Sequence, residues 1–345
     1  MRLLANVALA LISLSAHCHA EVALSREYVL KPPRDKRILF AMAVTPGQDV
    51  LSFIASDENR WRLSRVRRWL DNQPIEESLD IPGLGRGDGD VWAGLSTTLL
   101  LSPDGRFAVC VASGAHRAAA YERQEFVSVV DLSQFKVVVT VRPSSLAQLA
   151  GTYRSFDLDR SGHLVVNAVT STRSDGIFHY QHKLATLALP GLNVIDGCEY
   201  SEWSTGVLGS GTHLENENAC AGLVKNAGVA SLQEYLRAFI NNDEELERGR
   251  VRPAECAFLT YASYVSRDGR LRRELCTSGH RGFWGNFVVS NARENVLSAE
   301  TGKKLGSIKW PNSYPLQARF AIADGQDYLV VMEGGTLLRV YHIIN

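Results

Sequence analysis

Histidine and arginine side chains recur in the segments that separate the predicted strands of this chain. Imidazole and guanidinium groups donate hydrogen bonds to anions, and imidazole can also transfer protons near neutral pH. One interpretation is therefore a loop-built site for an anionic ligand; the other is that solvated loops carry these charges without binding anything. The candidate residues are His116, Arg117, Tyr121, Arg123, Arg173, His179, His182, His280 and Arg281.

No catalytic motif accompanies these residues, and no cofactor is predicted. The sequence contains no Gly-x-Ser-x-Gly, and the glycine-rich segment 83–89 lacks the Lys-Ser/Thr ending of a phosphate-binding loop. His179 and His182 are three residues apart, so on a strand they would point to opposite faces, which argues against a shared metal ion. Asp157 and Asp159 offer two carboxylates, too few for the about six to eight oxygen ligands of Ca²⁺. We predict no metal site, and the catalytic residues of any reaction stay unknown.

The composition is that of a globular protein with balanced charge. Of 345 residues, 45% are hydrophobic, and 37 Lys and Arg balance 37 Asp and Glu. A net charge of zero argues against a general nucleic-acid binder, because neutralising phosphates needs a basic excess. Arginines cluster in segment 60–68, which we interpret as an exposed strand face, with a polyanion-binding patch as the alternative. We expect a monomer without a transmembrane segment that binds a protein or a small anionic ligand.

The N-terminus has the pattern of a secretory signal peptide. An arginine precedes the apolar run 7–14, which is too short to span a bilayer, and the small residue Ala20 ends the segment. We predict removal of residues 1–20 and a secreted or periplasmic protein. The alternative is a lipid attached at Cys18, but His17 stands where lipoprotein signals have a small residue.

Five cysteines remain after the predicted cleavage, and an exported protein can oxidise them. Cys110 lies in an alternating apolar run and is expected to be a buried thiol. The other four cysteines allow about three connectivities. We favour the pairs Cys198 with Cys220 and Cys256 with Cys276, because each joins neighbours along the chain.

A unit of four antiparallel strands can be read directly from the sequence. Predicted strands over 99–101 and 107–112 flank a Pro-Asp-Gly turn, and strands over 126–131 and 136–141 follow. Equivalent turns occur at Pro46, Asp104 and Ser161, which are 58 and 57 residues apart, and again at Asp268 and Asp324, which are 56 apart. This regular step indicates a repeat architecture.

The interval from 161 to 268 is 107 residues, close to two steps of the repeat. It predicts one further unit with a weak strand signal. Apolar residues at helical spacing in segment 231–241 predict a small helical insertion, placed at about 206–250.

The sequences SPDGR at 102–106, VSVVDL at 127–132 and KVV at 136–138 resemble a blade of the YVTN and WD-repeat-like β-propellers of the bacterial exported type. NVLSAETGK at 295–303 resembles the turn between the third and fourth strands of such a blade. The paired Gly-His and Trp-Asp signature of WD repeats is absent. The resemblance implies an all-β propeller over residues 21–345, and we expect six or seven four-stranded blades; a two-sheet β-sandwich is the alternative.

The last predicted unit stops after three strands, and segment 27–30 is a candidate for the fourth. Such a closure would join the termini and remove an exposed sheet edge. The loops between second and third strands share a face with the connections between blades, and we expect this long-loop face to bind the ligand. The predicted function is an exported binding or interaction protein. The alternative is a propeller enzyme, a lactonase-like hydrolase or a quinone-dependent dehydrogenase, that acts on a small polar or anionic substrate.

Overall fold

The structure is a computed structural model. It describes residues 21–29, 38–56, 61–82, 92–116, 123–143, 153–174, 177–204, 213–237, 244–246, 260–266, 268–281, 287–310, 316–333 and 337–344.

Five antiparallel sheets contain the strands of these segments. Sheet I comprises β2 (Ile38–Val44), β3 (Val50–Ser56), β4 (Trp61–Arg67) and β5 (Ile75–Ile81). Sheet II comprises β6 (Trp92–Leu101), β7 (Phe107–His116), β8 (Arg123–Asp131) and β9 (Lys136–Val141). Sheet III comprises β10 (Tyr153–Leu158), β11 (Leu164–Ser174), β12 (Ile177–Ala188), β13 (Asn193–Ser204) and β14 (His213–Glu215). Sheet IV comprises β15 (Glu244–Leu246), β16 (Thr260–Ser266), β17 (Leu271–Arg281), β18 (Phe287–Ser298) and β19 (Lys304–Trp310). Sheet V comprises β20 (Leu316–Ala323), β21 (Gln326–Glu333), β22 (Leu337–Ile344) and β1 (Glu21–Val29).

Apart from Pro143, which has 3-10 conformation, helical structure in the described segments lies after β14. It consists of a 3-10 turn (Glu217–Cys220) and two short helices, α1 (Ala221–Asn226) and α2 (Leu232–Arg237). None of the helices in this part of the chain is long and apolar enough to cross a membrane.

The sheets form a propeller-like ring. Strand β2 contacts both β6 and β20, and β6 contacts β10, so the first strands of successive sheets meet. Apolar clusters fill four junctions between sheets in the described segments: I with II, II with III, IV with V, and V with I. A fifth cluster lies within sheet III and its helices. The prediction of an all-β propeller is therefore confirmed.

The predicted number of blades is wrong, because the described residues form five sheets rather than six or seven. The extra length between 161 and 268 lengthens sheet III instead of adding a sheet. Strands β11, β12 and β13 have 11 or 12 residues each, whereas the four strands of sheet I have 7. The helical segment and the three-residue strand β14 account for part of the remainder.

An N-terminal strand completes the last sheet, as predicted. Strand β1 pairs antiparallel with β22 from Glu21, opposite Ile344, to Val29, opposite Leu337. β1 also packs on sheet IV, because a Cβ added to Gly306 of β19 would lie 2.5 Å from a methyl carbon of Val22. Strand β1 thus joins sheets IV and V as well as completing sheet V.

The cysteine predictions are confirmed where the structure describes them. Cys198 and Cys220 form a disulfide, and Cys110 is free and buried. Burial raises the pKa of the Cys110 thiol. Cys276 is also disulfide-bonded; Cys256, its predicted partner, lies outside the described residues.

The interpretation of the arginine cluster as an exposed face is wrong for Arg65. This side chain is buried, and its guanidinium donates to Glu77 of β5 and to the backbone carbonyl of Leu132 in sheet II. The ring of Phe135 lies 4.3 Å from the guanidinium carbon. Residues of the neighbouring sheet therefore cover Arg65, and it links sheets I and II.

Candidate functional site

Seven of the nine predicted site residues lie on strands of sheets II, III and IV. His116 ends β7 and Arg123 begins β8, while His280 and Arg281 end β17. For these four residues only the backbone is described. Arg117 and Tyr121 lie outside the described residues, so the structure tests neither. The remaining three, Arg173, His179 and His182, lie together on β11 and β12.

The hairpin of β11 and β12 is long and regular, and it decides where these side chains point. Its register runs without a shift from Leu164 opposite Leu187 to Ser174 opposite Ile177. Because side chains alternate along a strand, His179 points to one face of β12 and His182 to the other. The expectation that the two histidines point to opposite faces is confirmed.

His182 shares its face of β12 with Phe178 and Tyr180, and Tyr200 of β13 lies directly opposite His182. We call these four rings the aromatic strip. His182 stacks on Tyr200 with 4.4 Å between ring centroids, and Tyr180 is 6.4 Å from His182 and 6.3 Å from Phe178. At the far end, the guanidinium carbon of Arg173 lies 5.0 Å from the centroid of the Phe178 ring.

The inner end of the aromatic strip is covered by the helical segment. Tyr200 packs in one apolar cluster with Cys220, Leu223, Leu232 and Tyr235. The disulfide between Cys198 and Cys220 holds this cover against β13. The outer end is open by comparison: Phe178 and Tyr180 are half-buried, and Arg173 is exposed. The strip therefore runs from the core of sheet III to solvent.

His182 is the centre of a small polar cluster at the buried end. Its Nδ1 lies 3.2 Å from Oδ1 of Asn167 on β11. Its Nε2 lies 3.4 Å from Oε2 of Glu202 on β13, but without hydrogen-bond geometry, and this nitrogen is buried. The contact with Asn167 thus orients the ring, and Glu202 lies beside the other ring nitrogen without a hydrogen bond to it.

Burial changes the ionisation of this cluster. It lowers the pKa of His182 and raises the pKa of Glu202. Burial, together with the charge of Glu202, also raises the pKa of Tyr200. Both pKa shifts favour the neutral forms of His182 and Glu202, so burial disfavours a charged ion pair between them.

The outer end of the strip has the chemistry of a binding surface. Two half-buried rings offer apolar faces, and Arg173 offers a cation that carboxylates, sulfates and phosphates can pair with. His179 is exposed on the opposite face of β12, so it cannot contribute to the same surface. Among the described side chains, no three His, Cys, Asp or Glu residues are grouped as metal ligands.

Sequence reasoning missed most of this site. It identified Arg173 and His182 from their charge, but not Phe178, Tyr180 or Tyr200. The alternation of ring residues at 178, 180 and 182 was available as a signal for a common face. The position of Tyr200 was not, because it depends on the register between β12 and β13.

No protein-family model matches this chain, and no curated protein matches it. Among the solved structures to which the chain is similar at low identity are the following three. The polysaccharide lyase Uly1 is 9% identical with a TM-score of 0.37, covering 94% of this chain and 99% of that one. An ulvan lyase from a polysaccharide lyase family is 9% identical with a TM-score of 0.31, covering 94% of both chains. The β-propeller domain of the trilobed protease from Pyrococcus furiosus is 11% identical with a TM-score of 0.26, covering 89% of this chain and 82% of that one. Similarity this distant carries no argument about activity.

Proposed function

We propose that this chain is an exported β-propeller binding protein whose ligand carries an anionic group next to a flat ring. The observation that supports the proposal is the outer end of the aromatic strip. There Arg173 lies over the Phe178 ring beside Tyr180, at the solvent end of the β11–β12 hairpin. The ring of the ligand would stack on the two aromatic faces, and its anion would pair with the guanidinium.

Two features support this assignment. The buried end of the strip is rigid, because His182 and Tyr200 stack in the core and the Cys198–Cys220 disulfide holds the cover. A rigid base reduces the entropy that a ligand loses on ordering the site. The disulfide also favours an oxidising compartment, in agreement with the proposed export.

A propeller enzyme is the second candidate, and the His182–Glu202 pair is the observation that favours it. Opposite pKa shifts on two neighbouring groups are common where protons are transferred. However, a substrate must reach the nitrogen that exchanges the proton, and Nε2 of His182 is buried. Binding is therefore the function that the geometry supports better.

Isothermal titration calorimetry tests the proposal with carboxylated and sulfated sugars and aromatic carboxylates. For any member that binds, Arg173→Gln should weaken affinity about tenfold or more, since a hydrogen bond to a charged group contributes about 1.5–3 kcal/mol. Phe178→Ala should weaken it about three- to tenfold through lost stacking. The matched control is His179→Ala, one residue away on the opposite face, which should leave affinity unchanged.

The same panel separates the two candidate functions. Saturable binding without product formation supports the binding protein. Turnover that His182→Gln abolishes, while affinity is retained, would instead favour the enzyme. If neither Arg173→Gln nor Phe178→Ala changed the affinity, the ligand would bind elsewhere and the proposed site would be wrong.

A further inference from the structure

A separate cavity of about 330 Å³ opens on the other face of the ring, near the tight turns β2–β3, β16–β17 and β20–β21. Turns of sheets I, IV and V surround it. Its lining residues are Val44, Thr45, Pro46, Gln48, Ser266, Asp268, Leu271, Phe320, Ala321, Ile322 and Asp327. Cavities of this size hold small organic molecules.

The walls of the cavity are mostly apolar. Leu271, Phe320 and Ala321 are buried side chains of sheets IV and V, and Val44 ends β2 of sheet I. Ile322 at the mouth is 39% exposed, which is unusual for a large aliphatic side chain beside a concave surface. An apolar ligand would remove these side chains from water, at about 25 cal/mol for each Å² buried.

Two carboxylates give the cavity its charge. Asp268 of sheet IV and Asp327 of sheet V both line it, and Arg270 lies 2.6 Å and 2.9 Å from them. Burial disfavours the charged form of Asp268, but hydrogen bonds from Ser266 and Arg270 outweigh burial and lower its pKa. A hydrogen bond to Asp268, followed by the charge of Asp327, raises the pKa of Arg270. One guanidinium is shared between two carboxylates, so these three groups carry a net negative charge.

The backbone at Gln48 shows that the cavity is built at a conformational cost. In four of the turns, the backbone N–H of the fourth residue bonds to the carbonyl of the first: Gln48, Gly105, Gly162 and Gly269 occupy that fourth position. All four have a positive φ, and Gln48 has a φ of 67°. A side chain in this conformation costs about 1–2 kcal/mol.

The hydrogen bonds of Gln48 explain why a glutamine stands at the turn position that is glycine in sheets II, III and IV. Its Oε1 accepts a hydrogen bond from the backbone N–H of Ile322, 3.1 Å away in sheet V. The indole of Trp69 donates to the carbonyl oxygen of Gln48. Gln48 therefore links the walls of the cavity that sheets I and V contribute.

We propose that this cavity binds a small amphipathic cation, an ammonium group on an apolar chain. The chain would pack on Leu271, Phe320 and Ile322, and the ammonium would donate hydrogen bonds to the carboxylates of Asp268 and Asp327. Ionised carboxylates only accept hydrogen bonds, so they select a donor and repel an anion.

This site is distinct from the aromatic strip. The strip ends where β11 passes into β12, and the cavity lies among turns at the other ends of the strands. The 11 residues of β11 span about 36 Å at roughly 3.3 Å each. The opposite ligand charges, anionic at the strip and cationic here, also allow the two proposals to fail independently.

The test compares three probes that share a six-carbon chain: hexylamine, hexanol and hexanoate, titrated calorimetrically into the full mature chain at neutral pH. We expect hexylamine to bind at least tenfold more tightly than hexanol, and hexanoate to bind most weakly. Ile322→Ala should weaken hexylamine and hexanol by the same factor. Asp268→Asn should reduce the preference for hexylamine over hexanol to threefold or less.

Asp104→Asn is the matched control, because Asp104 makes the same turn hydrogen bonds in sheet II but does not line the cavity. It should leave the preference for hexylamine intact, as should Arg173→Gln in the strip. Equal affinities for the three probes, tighter binding of hexanoate, or no saturable binding of hexylamine would overturn the proposal.

Discussion

Two turns of the ring, Ser102–Arg106 in sheet II and Ser266–Arg270 in sheet IV, have the same internal structure. In each, the serine hydroxyl donates to the aspartate, at 2.5 Å in sheet II and 2.7 Å in sheet IV. The backbone N–H of the arginine donates to the same carboxylate, at 3.0 Å and 3.1 Å. The glycine N–H bonds to the serine carbonyl at 2.8 Å in both. Their local sequences fully explain this equivalence.

The surroundings of the two turns differ. A Cβ added to Gly105 would lie 2.7 Å from the ring of Pro46 in sheet I, and one added to Gly162 would lie 3.1 Å from the ring of Pro103. Proline thus packs on glycine across the junctions of sheets I, II and III, which we call the closed junctions. Among the described residues, a Cβ added to Gly269 or Gly325 would meet nothing within 4 Å, and we call the junction of sheets IV and V the open junction. Turns of the same structure therefore make contacts between sheets in one half of the ring and leave space for a cavity in the other half.

The turns of sheets IV and V are joined by the ion pair of Arg270 with Asp327 and not by a described proline–glycine contact, so we expect β1 to do more of the joining there. Deleting residues 21–29 removes the ladder with β22, at about 1 kcal/mol net for each hydrogen bond, and the packing of Val22 beside Gly306. Together these losses rival a domain's whole margin of about 5–15 kcal/mol. We expect aggregation or a much lower Tm by circular dichroism than for a chain starting at Glu21. A truncated protein that melts within a degree of that control would show that β1 is dispensable.

The next largest effect separates the two equivalent glycines. Gly105→Ala adds a contact with Pro46 to the strain of a positive φ, and we expect about 2–4 kcal/mol of destabilisation in urea unfolding. Gly269→Ala adds the strain alone, at about 1–2 kcal/mol. Equal losses at the two positions would contradict the distinction between closed and open junctions. Pro46→Ala combined with Gly105→Ala should recover part of the difference.

Local chemistry made part of the fold predictable. The four-stranded unit of sheet II could be read from its turns, because serine, proline, aspartate and glycine fix the backbone within five residues. The fourth strand of the last sheet followed from the unpaired edge of β20–β22. The number of sheets could not be read, since the lengths of β11, β12 and β13 depend on packing against the helical segment and not on turn spacing.

The candidate sites show the same limit. The opposite orientation of His179 and His182 follows from alternation along one strand, so the sequence was sufficient. Glu202 reaches His182 only through the register of β12 and β13, and Arg65 is buried only because sheet II covers it. Charge alone predicted an exposed Arg65, and it directed attention to the long loops and away from the cavity at the tight turns.

Two arginines that link neighbouring sheets extend the comparison. Buried Arg65 joins sheets I and II through Glu77 and Leu132, so Arg65→Met should cost about 1.5–3 kcal/mol, the range for lost hydrogen bonds to a charged group. Arg270 joins sheets IV and V, but its side chain is 56% exposed, so Arg270→Met should cost at most about 1 kcal/mol. Equal changes in the urea midpoint would mean that the open junction relies on its ion pair as much as the closed one.

The smallest expected effect concerns acid, where the two turns should behave alike. A hydrogen bond from Ser102 lowers the pKa of Asp104. Burial acts to raise the pKa of Asp268, but hydrogen bonds from Ser266 and Arg270 outweigh burial and lower this pKa as well. An unfolded aspartate titrates near about 3.9, so both carboxylates contribute stability that is present above that pH and is lost as the pH falls through the lower folded pKa. Asp104→Asn and Asp268→Asn should therefore each reduce, by a similar amount, the fall in the urea midpoint between roughly pH 5 and pH 3. The amide oxygen can keep the turn hydrogen bonds at neutral pH, so folding itself should survive. If only Asp104→Asn reduced the fall in the urea midpoint with pH, the turn in sheet IV would itself differ from the turn in sheet II, in addition to the difference in their surroundings.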